Sequence, residues 1–502
     1  MNAEAKVSPP MRRAFTTLCG IEMLERLAYF SVRYVIPLYI MQADDAGGLR
    51  LTAGQKGQLL AAWFAVQCLL SALIGGHVDR YGHKKALSAA LLLIMAGYLS
   101  MAFVRSYAAF FAAVLILAAG TALFKPSLQG SLARALPPEK ASLGWGIFFW
   151  IVNVGSLLSP FLATLILGPS HDAQAWRNLF LVAAGLTAVN LILACFLRDA
   201  PTAVPHQSPT RVLITTLRHL MQPRLLVFFL LLTAYWTVAW QLFDMHLNFI
   251  TDWVDSTMIA QRLRWLPGSV FDRIVEIGPE GPRIPAQILV GSNTILIIIF
   301  VVPLSWLSRQ ISSLSALTIG FALTTLGISA AGLTRNGWVL LAGIGLFAFG
   351  SMLTDPKQLE YLGLLAPEGE KARYLGYLNL PVGLGGIIGA WMAGYLYGHH
   401  GEKATLALRY LFEHGDHAAT SAGPMSASAL ESALDIERAD AMTALASALN
   451  LDASAATQLL WDTYHPHYHI WSAFMVIGYL AVAGMIVFKR SKCRVGDGEN
   501  SL

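Results

Sequence analysis

The chain is short of charge. Only 13% of its 502 residues are Asp, Glu, Lys or Arg, roughly half the share that keeps a soluble domain's surface in water, and this excludes a water-soluble enzyme of that size. Cysteine is also scarce: of four, Cys19, Cys68 and Cys195 fall inside apolar segments and Cys493 in the terminal tail, so no disulfide framework is expected. No GxxxxGK[ST] loop is present to cradle a nucleotide phosphate, which argues against ATP and leaves an ion gradient as the energy source. No nucleophile sits at a supporting spacing from a base, so catalysis is not expected either. His399, His400, His465, His467 and His469 form no metal-ligand framework and read as solvated surface, so neither a metal nor a cofactor is anticipated.

What the chain has in quantity is apolar sequence: 55% hydrophobic residues and a mean hydropathy of +0.55. Crossing a hydrocarbon core takes roughly 20 residues of helix. Twelve stretches qualify, at 14–41, 57–78, 86–104, 108–133, 143–168, 179–197, 225–250, 288–307, 314–333, 338–361, 374–397 and 470–488. The first is too long and too charged for a cleaved signal and reads as a retained helix. Lys and Arg concentrate in alternate loops and at both ends, which places both termini in the cytoplasm. That asymmetry accounts for the net charge of +5 without a nucleic-acid partner.

Pro201, Pro205, Pro209 and Pro223 interrupt the helices after the sixth span. They suggest an N-terminal six-helix bundle over 1–197, a cytoplasmic linker over 198–224 and a C-terminal bundle over 225–502. The outer loop 251–286 holds a short amphipathic helix around MIAQRLRWL and then the turn-rich IGPEGPRIP. The insertion 398–469 reads as a small helical cap, with one surface helix in SALESALDIERADAMTALASALNL and another through SAATQLLWDTY capped by Asp452.

Glu22, Glu25 and Arg26 stand in the first span, on one helical face by their spacing. An ionisable group in a spanning helix costs roughly 2.5 to 3.5 kcal/mol on insertion scales, so it marks a polar pathway more often than a structural lock. The loop after the second span, GGHVDRYGHKK, with Gly75, Asp79, Arg80, Gly82, Lys84 and Lys85, resembles the latch loop of the major facilitator superfamily. Glu22-Met23-Leu24-Glu25-Arg26 resembles the ExxER signature of its proton-dependent oligopeptide transporters. Phe124-Lys125-Pro126 is similar to that family's lysine-proline pair, and the run Phe148 to Leu157, containing Asn153-Val154-Gly155-Ser156, is similar to its fifth-helix signature. Trp236, Gln241 and Asn293 match in the C-terminal half. Two acids depart from the pattern: Trp240 stands where an acid precedes Gln241, leaving Asp244 nearest, and Gly350-Ser351 replaces Gly-Glu, leaving Asp355 one turn on.

The resemblance implies an all-α integral membrane protein with the major facilitator fold, twelve helices in two six-helix bundles. It implies proton-coupled symport of di- or tripeptides by alternating access, with protons, substrate and the bilayer as partners and the monomer as the working unit. Glu22, Glu25, Arg26 and Lys125 would couple protons, Lys125 pairing with Glu22 or Glu25 in one state. Tyr29, Arg33, Asn153, Trp236, Gln241, Asn293 and Asp355 would meet substrate, while Gly75, Asp79, Arg80 and Asp244 would gate, with Arg33 pairing to Asp244 near the outer mouth. The shifted acid on the tenth span favours the alternative of another small amphipathic solute, carried in or out. A receptor that senses without transporting is the rival from another class. Short loops point to a bacterial inner membrane.

Overall fold

The computed structural model describes the chain except residues 1–8, 44–45, 72–81, 136–140, 169–170, 198–220, 279–280, 366–373, 375–376, 416–425 and 500–502. The apolar runs close their backbone hydrogen bonds as helices: α1 Pro9–Arg33, α2 Ala53–Ala65, α3 His83–Phe103, α4 Tyr107–Ala135, α5 Ala141–Leu167, α6 Ala173–Cys195, α7 Pro223–Ala239, α8 Ala286–Ser308, α9 Ser313–Gly332, α10 Gly337–Leu365, α11 Asn379–His400 and α12 Pro466–Glu499. Ten of these, α3 to α12, are long and apolar enough to cross a membrane. The charged α1 packs against α5 and α6, and α2 continues as a π-helical turn, Val66–Leu70, beside α4 and α11. The expected linker and latch loop, including Gly75, Asp79 and Arg80, fall outside the described residues apart from 221–224 and Gly82 onward. Gly82 has φ 94° where it leads into α3, a conformation that costs glycine least.

Two expected spans are broken, each for a local reason. The first stops at Arg33 and resumes as the short helix Ile36–Met41, because the ring of Pro37 clashes with the carbonyl four residues back. The seventh passes from α7 through a 3-10 turn, Trp240–Phe243, into a second helix, Met245–Trp253, and turns at Asp244 (φ −129°, ψ −83°).

Buried apolar residues gather into two cores, one almost wholly from positions 18–197 and the other almost wholly from 225–488. The two cores contain a repeat that is hard to see in the letters. Residues 230 positions apart do equivalent work: α4 and α10 are both 29 residues long and run from Tyr107 and Gly337 to Ala135 and Leu365. A Cβ on Gly97 would meet Leu117, and one on Gly327 would meet Phe347; one on Gly120 would meet Ile94 and Ala90, and one on Gly350 would meet Thr324 and Gly320. All four are backbone approaches under 3.1 Å, so the small residues let α3 lie on α4 as α9 lies on α10. Lys125-Pro126 and Asp355-Pro356 occupy matching places in this repeat.

The end of the bundle that carries the insertion is called outer here. The insertion is helical: Lys403–His414, Ala427–Leu434, Ala441–Leu449 and Ala453–Tyr464. The expected single surface helix is two, because Asp435 turns left-handed (φ 53°) and ends the first. Asp452 accepts from the Ala455 N–H and caps the last, as its spacing indicated. In the loop 251–286, the amphipathic helix is confined to Thr257–Arg262, and IGPEGPRIP forms a hairpin pairing Glu276–Gly278 with Gly281–Arg283. His467 departs from the solvated reading: it is buried, stacked on Trp461 with ring centroids 4.1 Å apart and planes 9° from parallel.

The close glycine contacts give a direct test. Gly350→Leu must push α9 from α10 and should lower the melting midpoint of the detergent-solubilised protein, at a cost of about 1 to 3 kcal/mol or more. Gly363→Leu on the same helix, where a Cβ meets nothing within 4 Å, should leave the midpoint nearly unchanged.

Candidate functional site

The α1 charges are drawn inward and bonded to one another. Arg26 Nε donates to Glu25 Oε2 at 2.6 Å and lies 3.2 Å from Glu22 Oε1. The guanidinium also sits 5.1 Å from the Tyr29 ring centroid and 5.7 Å from that of Phe30, so it is held by two anions and two π faces. All three charged residues are buried. Glu25 Oε1 has no hydrogen-bond partner among the described residues, which leaves one carboxylate oxygen of the cluster unsatisfied. Tyr29 donates to Gln67 Oε1 at 3.4 Å.

Lys125 is different. It stands about two-thirds of the way along α4 yet is solvent-exposed, and no hydrogen bond or ion pair within the described residues holds its ammonium. Nine residues separate it from the exposed Ile116, roughly half a turn round the helix, so its opening is on the side away from Ile116. Glu22, Glu25 and Arg26 are its electrostatic neighbours. Asp355, its counterpart on α10, is likewise exposed mid-helix. Gln358 Nε2 donates to Asp355 Oδ1 at 3.4 Å, and Trp236 Nε1 on α7 donates to Gln358 Oε1 at 3.3 Å. An open cation from one half and an open anion from the other thus occupy equivalent positions.

The outer end is shut. Lys56 Nζ lies 3.2 Å from Asp244 Oδ1 and donates to Asn248 Oδ1 at 2.9 Å; Asn248 in turn donates to the Pro37 carbonyl at 3.2 Å. Side-chain exposure is 0% for Lys56 and 2% for Asp244, so this ion pair between the halves is fully dry. Beside it, a Cβ on Gly57 would fall 2.9 Å from the Gly394 Cα, which brings α2 and α11 into backbone contact. Gln287 of α8 donates to Thr164 of α5 at 3.1 Å. These bonds between the two halves close the outer end among the described residues.

Residues 18–258 match the family model described as Major Facilitator Superfamily, and the twelve-helix bundle described above has that architecture. The chain has the major facilitator fold. Over 155 residues it is 29% identical to the uncharacterized transporter YclF of Bacillus subtilis, a match spanning 30% of this chain and 31% of that relative. It is 22% identical over 329 residues to the multidrug resistance protein MdtH of Edwardsiella ictaluri, covering 65% of this chain and 73% of the relative. Among solved structures, a POT family transporter in complex with 5-aminolevulinic acid superposes with a TM-score of 0.64 at 15% identity over 95% of both chains. The nucleoside transporter NupG superposes with a TM-score of 0.65 at 11% identity, over 95% of this chain and 99% of that one. Likenesses this remote establish the fold and leave the cargo open.

The expected Arg33–Asp244 pair is not formed. Asp244 faces Lys56, and Arg33 donates to the Phe243 carbonyl at 3.1 Å while its carbon Cζ lies 5.8 Å and 5.5 Å from the Trp63 and Phe64 ring centroids. The break at Pro37 ends α1 at Arg33, and the turn at Asp244 aims that carboxylate at α2. Lys56 reads as a loop residue in the apolar pattern, yet a signal was present: Thr52-Ala53-Gly54-Gln55 is a capping box that starts α2 at Ala53 and places Lys56 inside its first turn. Gln358 was equally readable, three residues beyond Asp355 on one helical face. The remaining expected residues are spread about: Gln241 is buried and bonded to the Thr237 carbonyl, Asn293 is buried with Oδ1 unpartnered among the described residues, and Asn153 is half-buried on α5.

A dry ion pair is costly to break on one side only. Lys56→Met alone should destabilise the protein by roughly 3 to 5 kcal/mol, because it strands a buried Asp244, whereas Lys56→Met with Asp244→Leu should recover most of the loss. Thermal melts of the two variants distinguish this from a surface pair, for which both changes would be small.

Proposed function

We propose that the chain is a proton-coupled carrier of small zwitterionic solutes, di- and tripeptides first among them, working by alternating access as a divergent member of the proton-dependent oligopeptide transporters. The observation that carries this reading is the open pair Lys125 and Asp355. A solute with a carboxylate and an amine satisfies both charges at once, and each is accessible to it from water. Tyr29, Arg33, Trp236, Gln241, Asn153 and Asn293 would line the path. Peptide and POT transporters among the solved relatives support the class of cargo.

Coupling would run through α1. With Glu22 and Glu25 ionised, Arg26 is held by both. A proton on Glu25 removes one of those holds and frees Arg26 or Lys125 to bind a substrate carboxylate. Outward opening requires the Lys56–Asp244 pair to part, so that pair would serve as the outer gate. Gly75, Asp79 and Arg80 would gate at the inner end, with both termini cytoplasmic in a bacterial inner membrane. Alternating access at a site between two repeats follows the general logic of such carriers.

A second reading is favoured by one residue. Ser351 stands where peptide carriers of this kind have an acid, and Asp355 lies one turn deeper, which suits another amphipathic solute. The likeness to a nucleoside transporter and to multidrug resistance proteins agrees with it.

Uptake of labelled dialanine into proteoliposomes, with and without an inward proton gradient, tests the first reading. Gradient-driven uptake should vanish in Glu25→Gln while counterflow exchange persists. Asp355→Asn should raise KM for dialanine by ~10-fold or more and leave an N-acetylated analogue nearly unaffected. Absent dialanine uptake, with thermal shifts from other solutes, would move the conclusion to the second reading.

A further inference from the structure

The insertion 398–469 belongs by sequence to the C-terminal half, yet its charged residues reach across to the other. Arg438 is its centre, with a side chain only 9% exposed. Its Nη1 donates to Glu402 Oε1 at 3.1 Å, its Nη2 donates to the Arg50 carbonyl at 2.8 Å, its Nε lies 3.4 Å from Glu431 Oε1, and its backbone N–H donates to that same oxygen at 2.9 Å. Arg50, in the loop before α2, answers with its own guanidinium, 3.2 Å from Glu431 Oε1 and 3.0 Å from Glu437 Oε2.

We propose that the cap is an outer latch, in which Arg438 and Glu431 clasp Arg50 of the opposite half and must release it before the protein can face outward. The inference rests on the alternating-access reading above, but it concerns shape and is testable without a substrate.

Three local features build the clasp. Arg50 has φ 51°, a left-handed conformation that is uncommon for a residue with a side chain; its N–H donates to the Gln42 carbonyl at 2.8 Å while its carbonyl accepts from Arg438. The left-handed turn at Asp435 folds the chain back, so that Glu431 and Arg438 meet instead of continuing along one helix. Glu402, two residues after α11, is fixed by the Thr405 hydroxyl at 2.6 Å, which ties the clasp to a spanning helix.

The position of Arg50 makes it a handle. Two residues later the Thr52 capping box begins α2, the helix that carries Lys56 and Gly57 into the outer seal, so moving α2 outward drags Arg50 from the cap. A lone exposed ion pair would matter little. Here a nearly buried guanidinium would lose one acceptor, the Arg50 carbonyl, and Glu431 would lose one of its two cations. Burial alone would raise the Glu431 carboxyl, but the Arg438 backbone N–H and the charges of Arg438 and Arg50 hold it below the ordinary carboxylate value, so Glu431 is charged at neutral pH.

The test uses spin labels on Ser106→Cys and Trp338→Cys, at the outer ends of α4 and α10, in a full-length background without the four native cysteines, and reads their distance distribution by double electron-electron resonance. Arg50→Ala cuts the clasp from outside the cap and should raise the longer-distance, outward-open population by ~5-fold or more. Arg438→Ala should do the same, and Glu437→Ala, at the 60% exposed rim, should do little. Limited proteolysis of the cap reports whether it stays folded. An unchanged distribution in Arg50→Ala with a protected cap would overturn the latch, as would a shift seen only in Arg438→Ala together with loss of that protection.

Discussion

An ionised side chain inside a low-dielectric body must be wet, or it must be paired, and this constraint organises the whole protein. Arg26 with its two glutamates takes the paired solution, as does Lys56 with Asp244. Lys125 and Asp355 take the wet one. A paired charge loses its partner only by protonation or by movement of the helix that carries it, and a wet one exchanges water for any solute with a matching group. The dry pairs therefore define what has to change between conformations, and the wet pair defines what can bind in this one.

The arrangement of helices serves that division of labour. Glycines at equivalent places let α3 and α4, and again α9 and α10, approach at backbone distance, which makes each pair a stiff unit. A rigid pair presents its charge at a fixed depth, so rocking one half against the other alters the route by which water reaches Lys125 and Asp355 without altering where they sit. Larger breaks lie elsewhere. The chain breaks after Arg33 and at Asp244, next to the outer seal, so the elements that carry the inter-half bonds are those with an interrupted backbone ladder.

Much of this was legible in the letters. Apolar runs of spanning length located the helices, since hydrocarbon permits no other backbone solution, and Glu22, Glu25 and Arg26 announced themselves because charge there is expensive. The spacing of Asp452 was enough to mark a helix start. Partnership was not legible. Arg33 and Asp244 have complementary charge and suitable depth, but Pro37 and the turn at Asp244 redirect both, and hydropathy carries no information about direction. Lys56 was hidden because counting apolar residues starts α2 too late, whereas its capping box starts it correctly. The repeat was hidden for a different reason: lipid-facing positions accept any apolar residue, so the two halves share little beyond small residues at close contacts and a proline after a charge.

Those dipeptides carry one more meaning. In each, the charged residue is followed by a proline within an unbroken helix, Pro126 in α4 and Pro356 in α10. A proline ring has no N–H to give to the carbonyl four residues back, so Ala122 and Met352 each lose the usual helical donor one turn above the charge. Helices bend most readily at such a gap. Each half therefore sets its recognition charge beside a local gap in the ladder of an otherwise stiff helix pair, and a solute that pulls Lys125 and Asp355 toward itself would be pulling on two hinges.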